Sequence, residues 1–420
     1  MELLRGVIRD YDWGDPGAIA ELLGLPAPGH PQAEYWLGAH PSAPSTLVET
    51  GIGLDRLVAG DPTATLGPRI AARFGRFPFL LKILAAARPL SIQAHPSADE
   101  AKAGFAAESS AGIELAAPDR NYRDDRHKPE LICAMTPFEA KCGFRSVADS
   151  RLLIGALAAC AEAGPLVELS ERLEATGPEA DVLAETVAWL LRLPAARKEP
   201  LVDAVVAAAG QLAAHVHGAG DGRGCASPVE TFWSEIDWTG RIAAAFPGDI
   251  GVVVALLLNH VSLAPGQAMF LAAGNLHSYL HGVGVELMAN SDNVVRGGLT
   301  RKHIDVDQLL DVVDYRPGAA PIQTPAGPVH RFETPTPEFG LTRLDATAGD
   351  LGRPSFEIEG PEIVLVTAGE LVLTSNDRQL ALGPGSACFI GHADRRYTIN
   401  DHRPGVTVAW RATVGAEPAR

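Results

Sequence analysis

Between about Ala148 and Phe246 the chain turns Ala-, Leu- and Glu-rich, while on both sides it reads as short apolar runs broken by Gly and Pro. That switch of texture constrains the fold more than any other feature. Asp181–Leu191 and Leu201–His215 have apolar residues at helical spacing, whereas Phe77–Leu84 is a strand-like run. Pro194 and the tip Gly218-Ala219-Gly220-Asp221-Gly222 punctuate the helical block. Strand texture resumes near Leu263. The expected architecture is mainly β with a helical insertion, and 420 residues exceed what one hydrophobic core usually holds.

Arg316–Glu338 carries six prolines and reads as an extended linker. Beyond it, Glu362–Leu373 reads as strand, Gly turn, strand, in a β-rich segment that continues to Trp410. An internal echo joins the two β parts. Leu263-Ala264-Pro265-Gly266-Gln267-Ala268-Met269-Phe270-Leu271 matches Leu382-Gly383-Pro384-Gly385-Ser386-Ala387-Cys388-Phe389-Ile390, each a Pro-Gly turn feeding an apolar strand. If the echo reflects a repeated unit, Arg396 stands where the first copy has His277, and the second copy has lost that ligand position.

Composition narrows the partners. Hydrophobic residues make up 46% and charged residues 20%, as in an ordinary globular protein. A net charge of −16 argues against a nucleic-acid partner, since no basic stripe is available to neutralise phosphates. A small anionic substrate is compatible with it, because a few local cations decide that binding. The N-terminal segment shows no signal peptide, and the longest apolar run, Val252–Leu258, is too short to span a bilayer. Five scattered cysteines (Cys133, Cys142, Cys160, Cys225, Cys388) without a CxxC pair fit a reducing cytoplasm better than a disulfide framework.

The chemistry-bearing residues start with Gln93 and His95. On a strand both point to one face, and Glu130 and His277 offer a carboxylate and a second imidazole. A mixed oxygen and nitrogen set suits zinc, with manganese or cobalt as substitutes. Singly, each residue also fits a plainer role: a hydrogen-bonded strand pair, a strand-end carboxylate, a histidine capping a Gly turn. Glu286–Gly298 ends its strand alternation in Asn290-Ser291-Asp292-Asn293 and then presents Arg296. This is either an Asx-type turn beside a surface arginine or an arginine held rigidly for an anion. Lys82, within Leu80–Leu84, is either a solvent-facing residue or a buried cation, and Lys128 shares the face of Glu130 if the chain is extended.

Taken together these motifs resemble the type I mannose-6-phosphate isomerases, zinc enzymes of the cupin superfamily. The resemblance runs through Tyr11-Asp12-Trp13-Gly14, Ala33–Pro41, Leu90–Ser97, Tyr122–Glu130 and His277–Lys302. It implies one zinc ion per chain on Gln93, His95, Glu130 and His277, an active-site arginine at Arg296, and a pocket lined by Lys82, Lys128, Tyr279, Glu286, Asp292 and Lys302. It also implies two cupin-type jelly-roll barrels plus a helical domain. The catalytic barrel would occupy 1–147 and 249–315, the insertion 148–248, the linker 316–338 and a metal-free barrel 339–420. The chain departs from the family at Arg126 (usually Asn), Ser278 and Gly297 (usually Ala) and Arg301 (usually Pro).

The implied reaction interconverts mannose 6-phosphate and fructose 6-phosphate through an enediol. Glu286, Lys128 and His127 are the candidates for proton transfer, Arg296 for charge stabilisation, and Ser91 and Lys82 for pocket contacts. The expected partner is a small sugar phosphate, met by a cytoplasmic monomer. Two rivals exist: a cupin that binds a sugar phosphate without turning it over, and a metal-dependent cupin oxygenase. The Gln ligand and the lysines speak against the second.

Overall fold

A computed structural model describes residues 1–160, 164–218, 228–376 and 378–416. Cys225 and the Ala219-Gly220-Asp221-Gly222 part of the glycine-rich tip lie outside these residues. Strands and helices segregate as the texture predicts. Helices dominate from Val147–Cys160 to Gly251–Val254, including Glu179–Arg192 and Ala195–Gly218. Apolar side chains of this block, among them Leu153, Leu183 and Val205, share a buried cluster with Ile92, Leu276 and Val295 of the neighbouring strands. Close packing at that seam needs glycine. Gly298 adopts φ 140°, and a Cβ there would sit 2.6 Å from the Gly251 Cα.

Outside that block, among the described residues, stand three antiparallel sheets of eleven, seven and four strands and a few further helices such as Ala98–Ser110. In the eleven-stranded sheet, Phe79–Ala86 and His277–Ala289 run side by side, with Lys82 opposite Glu286. All eight residues of Phe79–Ala86 are buried because both faces are covered. Leu81, Ile83 and Ala85 pack toward Phe339, Ile363 and Leu365 of the seven-stranded sheet. The alternate residues Leu80, Lys82 and Leu84 face the other way. Lys82 is therefore a buried cation, 6% exposed, and the surface reading of this lysine is excluded.

The proline-rich stretch is more structured than a linker. Ile322–Gln323 pairs with the Ala268–Leu271 strand, and Val329–Arg331 pairs with Gly340–Asp345. The chain ends also interleave. Glu2–Arg5 pairs with Ala387–Ile390, placing an N-terminal strand inside the C-terminal sheet. The sequence echo has a structural counterpart. Gly266 donates to the Ala134 carbonyl at 2.7 Å while Ala134 donates to Gln267 at 2.9 Å; Gly385 and Ser386 make the same pair of bonds with Val366, at 2.8 and 3.0 Å.

Candidate active site

His95 leaves the short strand Ile92–Ala94, and the Ser97–Glu100 capping box starts the next helix immediately after Pro96. That abrupt turn fixes where the imidazole stands. His277 opens the long strand His277–Ala289, and Glu130 opens Glu130–Ala134. The three side chains are buried, and their ligating atoms all lie within 4.8 Å of one another. Register places Gln93 opposite His277 on one side and opposite Arg296 on the other. Directly opposed residues of antiparallel strands share a face, so Arg296, Gln93 and His277 form one row.

The protons on the two imidazoles can be assigned. His95 Nδ1 lies 2.8 Å from the Asn293 carbonyl, and His277 Nδ1 lies 3.0 Å from the Asn275 carbonyl. A carbonyl only accepts, so each Nδ1 carries hydrogen and each neutral ring keeps a lone pair on Nε2. Both lone pairs face Glu130, at 3.3 Å from Oε1 and 3.5 Å from Oε2. His95 Nε2, His277 Nε2 and Glu130 Oε2 lack hydrogen-bond partners among the described residues. Burial pulls the His95 imidazole down to about 4, with Glu130 opposing, so the ring is neutral at pH 7. Two lone pairs aimed at a carboxylate repel unless a cation stands among them, and this donor set fits zinc.

Cations and carboxylates surround the cluster. Lys128 Nζ lies 3.2 Å from Glu130 Oε1. Burial would raise the Glu130 carboxyl, yet it is held well below the usual range, and with the His95 ring neutral the charged neighbour at hand is the Lys128 ammonium. Lys82 Nζ sits 2.8 Å from Glu286 Oε2 and 3.2 Å from Glu34 Oε1, while Trp36 donates to Glu34 Oε2 at 2.8 Å. Burial works against the Lys82 charge, but Glu286 and Glu34 outweigh it and hold the ammonium protonated. Burial pushes the Glu286 carboxyl up; Lys82 pulls it back, and nearby Glu130 and Glu34 leave the net shift upward. The buried Tyr279 hydroxyl lies beside Glu286 without a well-formed hydrogen bond.

A second cationic group stands at the row's other end. Burial and then Arg123 depress Arg296; burial, Arg296 and Arg123 depress Lys302, against Asp12. Arg296 and Lys302, both depressed and both beside Arg123, mark a place that would welcome an anion. Ser91 is half-buried just before the Gln93 strand. Asp292 is half-exposed, 3.3 Å from His40 Nε2.

His127 turns to a different partner. Its Nε2 lies 2.9 Å from Glu338 Oε1, at the far end of the proline-rich stretch, while its neighbour Lys128 faces Glu130. The polar run before Arg296 has a task that sequence reasoning missed. Asn293 accepts from the Arg123 backbone at 2.7 Å and donates to the Asp124 and Arg126 carbonyls, at 2.7 and 2.8 Å. It thus clamps the loop leading to Glu130, and its own carbonyl orients His95. Glu34 and Trp36 were missed too, although their alternation in the strand Glu34–Gly38 was a signal that they share a face.

A buried His-Glu-His group on antiparallel strands, flanked by two sets of cations, defines a sheet-built metalloprotein suited to an anionic ligand. The family model for the phosphomannose isomerase type I catalytic domain matches residues 1–147. The chain belongs to the mannose-6-phosphate isomerase family. It is 36% identical over 401 residues to mannose-6-phosphate isomerase of Salmonella typhimurium, covering 93% of this chain and 95% of that protein. The Escherichia coli protein of the same name is 34% identical, with 96% and 97% covered. An alanine variant of the Salmonella typhimurium phosphomannose isomerase superposes with a TM-score of 0.85 at 33% identity, over 99% of this chain and 100% of that one. A zinc-bound mannose 6-phosphate isomerase superposes at 0.83 with 33% identity, over 99% of each chain.

Proposed function

We infer that this chain is a zinc-dependent aldose–ketose isomerase that interconverts D-mannose 6-phosphate and D-fructose 6-phosphate. One observation carries the reading: the paired Nε2 lone pairs facing Glu130, in a chain aligned almost end to end with proteins of that name. His95, Glu130, His277 and Gln93 would hold the ion. Bound there, zinc would polarise the sugar carbonyl and favour the enediol form. The same reading makes the sheets cupin-type jelly rolls and the protein a cytoplasmic monomer with no nucleic-acid partner.

The chain's own residues supply the rest. Arg296 and Lys302, with Arg123 beside them, bind the phosphate end, because these cations relieve one another's repulsion only when an anion arrives. Glu286 suits proton transfer, since burial raises its carboxyl while Lys82 Nζ at 2.8 Å stabilises the carboxylate. Lys128 holds Glu130, and Tyr279, Ser91 and Asp292 line the pocket. His127, held by Glu338, supports the neighbouring Lys128 loop.

A coupled assay for fructose 6-phosphate formation, run before and after exhaustive chelation, tests this reading. Turnover should vanish on chelation and return with zinc. Full activity after complete metal removal would end the metal-centred account, and binding without any turnover would support a non-catalytic sugar-phosphate cupin.

A further inference from the structure

His40 is built unlike the two histidines of the metal group. It follows the strand Glu34–Gly38, is 3% exposed, and packs edge-on against Trp36 with ring centroids 4.8 Å apart. Its Nδ1 receives the Ser42 backbone N–H at 3.3 Å, and the Ser42 hydroxyl lies 2.9 Å from the same nitrogen. A backbone N–H only donates, so Nδ1 holds a lone pair and the ring proton sits on Nε2. That Nε2 is 3.3 Å from Asp292 Oδ1. His95 and His277 thus present lone pairs from Nε2, whereas His40 presents a proton.

Asp292 is the receiving end. Its backbone N–H donates to Asp124 Oδ2 at 3.0 Å, which pins the residue, while its carboxylate stays half open to solvent. The charged groups acting on it are His40, Lys128 and Lys82, with Asp124 bound to its backbone. Burial would raise the Asp292 carboxyl, but the His40 bond, with Lys128 and Lys82, brings it net below the usual value. A carboxylate held 3.3 Å from a buried donor and half open to solvent is oriented for an acceptor task.

We propose that His40 is a positioning residue of the isomerase: through its Nε2 proton it orients Asp292 as the acceptor for a substrate hydroxyl. The inference rests on the isomerase reading and adds a residue to it. Ser42 sets the tautomer, His40 transmits it, and Asp292 meets the sugar. The ring's buried packing on Trp36 makes the arrangement rigid, so the donor is in place before substrate binds.

The test compares His40→Phe, which keeps a ring without a donor, with His40→Gln, whose amide can donate at similar reach, and both with Asp292→Asn. Rates with mannose 6-phosphate are followed across pH, alongside bound zinc and melting temperature. His40→Phe should lower kcat/KM about 10- to 100-fold with zinc content unchanged. The acid limb of its profile should move to higher pH, because Asp292 loses the donor that favours its ionised form. His40→Gln should restore most of the rate and the limb. In the Asp292→Asn background, His40→Phe should cost nothing further. An unmoved acid limb, a glutamine variant no better than phenylalanine, or a full additional loss on top of Asp292→Asn would each overturn the proposal. If His40→Phe does not fold, the other two decide: the His40→Gln variant must keep activity while Asp292→Asn loses it, and the reverse order overturns the proposal. A wild-type chain that forms no fructose 6-phosphate would instead sink the isomerase reading itself, so the two failures are distinguishable.

Discussion

Glu130 and Glu362 occupy the same place in two sheets that share a turn pattern. Glu130 pairs with Leu271 after the first Pro-Gly turn, and Glu362 pairs with Ile390 after the second. Both carboxylates are buried. Around Glu130 stand His95, His277 and Lys128, with ring lone pairs left over. Around Glu362 stand Arg411, which donates from both Nε and Nη2, and the Tyr397 hydroxyl at 3.0 Å. Where His277 faces Gln93 in the first copy, Arg396 faces Glu357 in the four-stranded sheet, 3.5 Å apart and exposed. One position neutralises its carboxylate with a cation bound to the chain; the other leaves donors open for an exchangeable ion. Chemistry can occur only where the counter-charge is shared with a visitor.

The largest effect should come from emptying the open position. His277→Ala should lower isomerase turnover by at least about 10²-fold and release zinc, read by activity and metal content. Arg396→Ala, the corresponding change in the four-stranded sheet, should leave turnover alone. Equal losses from both would break the comparison. Next comes the closed position. Arg411→Ala strands a buried carboxylate, which should cost about 3–5 kcal/mol of stability in denaturant titration, with kcat per folded molecule unchanged. Replacing the pair together, Glu362→Leu with Arg411→Met, should recover most of that loss, because no uncompensated charge remains.

The smallest effect concerns Lys141, a buried cation with neither solution. Its Nζ has no hydrogen-bond partner among the described residues, and it lies opposite Ser278 and His260 on the strand Phe138–Phe144. Burial pulls its pKa from 10.5 to about 7, with Glu235 opposing. A lysine depressed in the folded state destabilises fully below pH 7, where folded and unfolded chains are both protonated. That penalty fades as pH rises from about 7 to 10.5. Lys141→Met should therefore raise the melting temperature by a few degrees at pH 6 and by less at pH 9.5. An equal gain at both would assign the effect to packing instead.

Much of this arrangement was legible in the chain. Helical spacing in Asp181–Leu191 and the paired Pro-Gly turns announced a helical block and two similar β turns, because periodicity and turn chemistry are local. Gln93 and His95 were readable as a pair for the same reason. What the sequence withheld depends on remote partners. Lys82 looks alike whether its face meets water or Glu34 and Glu286, and only sheet pairing decides. Nothing near His127 in the chain announces that Glu338, from far along it, is its partner. The tautomers of His40, His95 and His277 rest on a backbone N–H in one case and on carbonyls in the other two, and no spacing rule encodes those contacts.

The strand Glu2–Arg5, lodged between Ala387–Ile390 and Thr46–Leu47, sets a timetable for synthesis. It is synthesised long before Ala387–Ile390, so one of its two edges has no partner until that strand follows. Through that interval it is a short strand with an open edge, the kind of surface that invites wrong pairing. Truncating the chain before Ala387 would do more than remove C-terminal strands, since it would leave Glu2–Arg5 without one of its two partners.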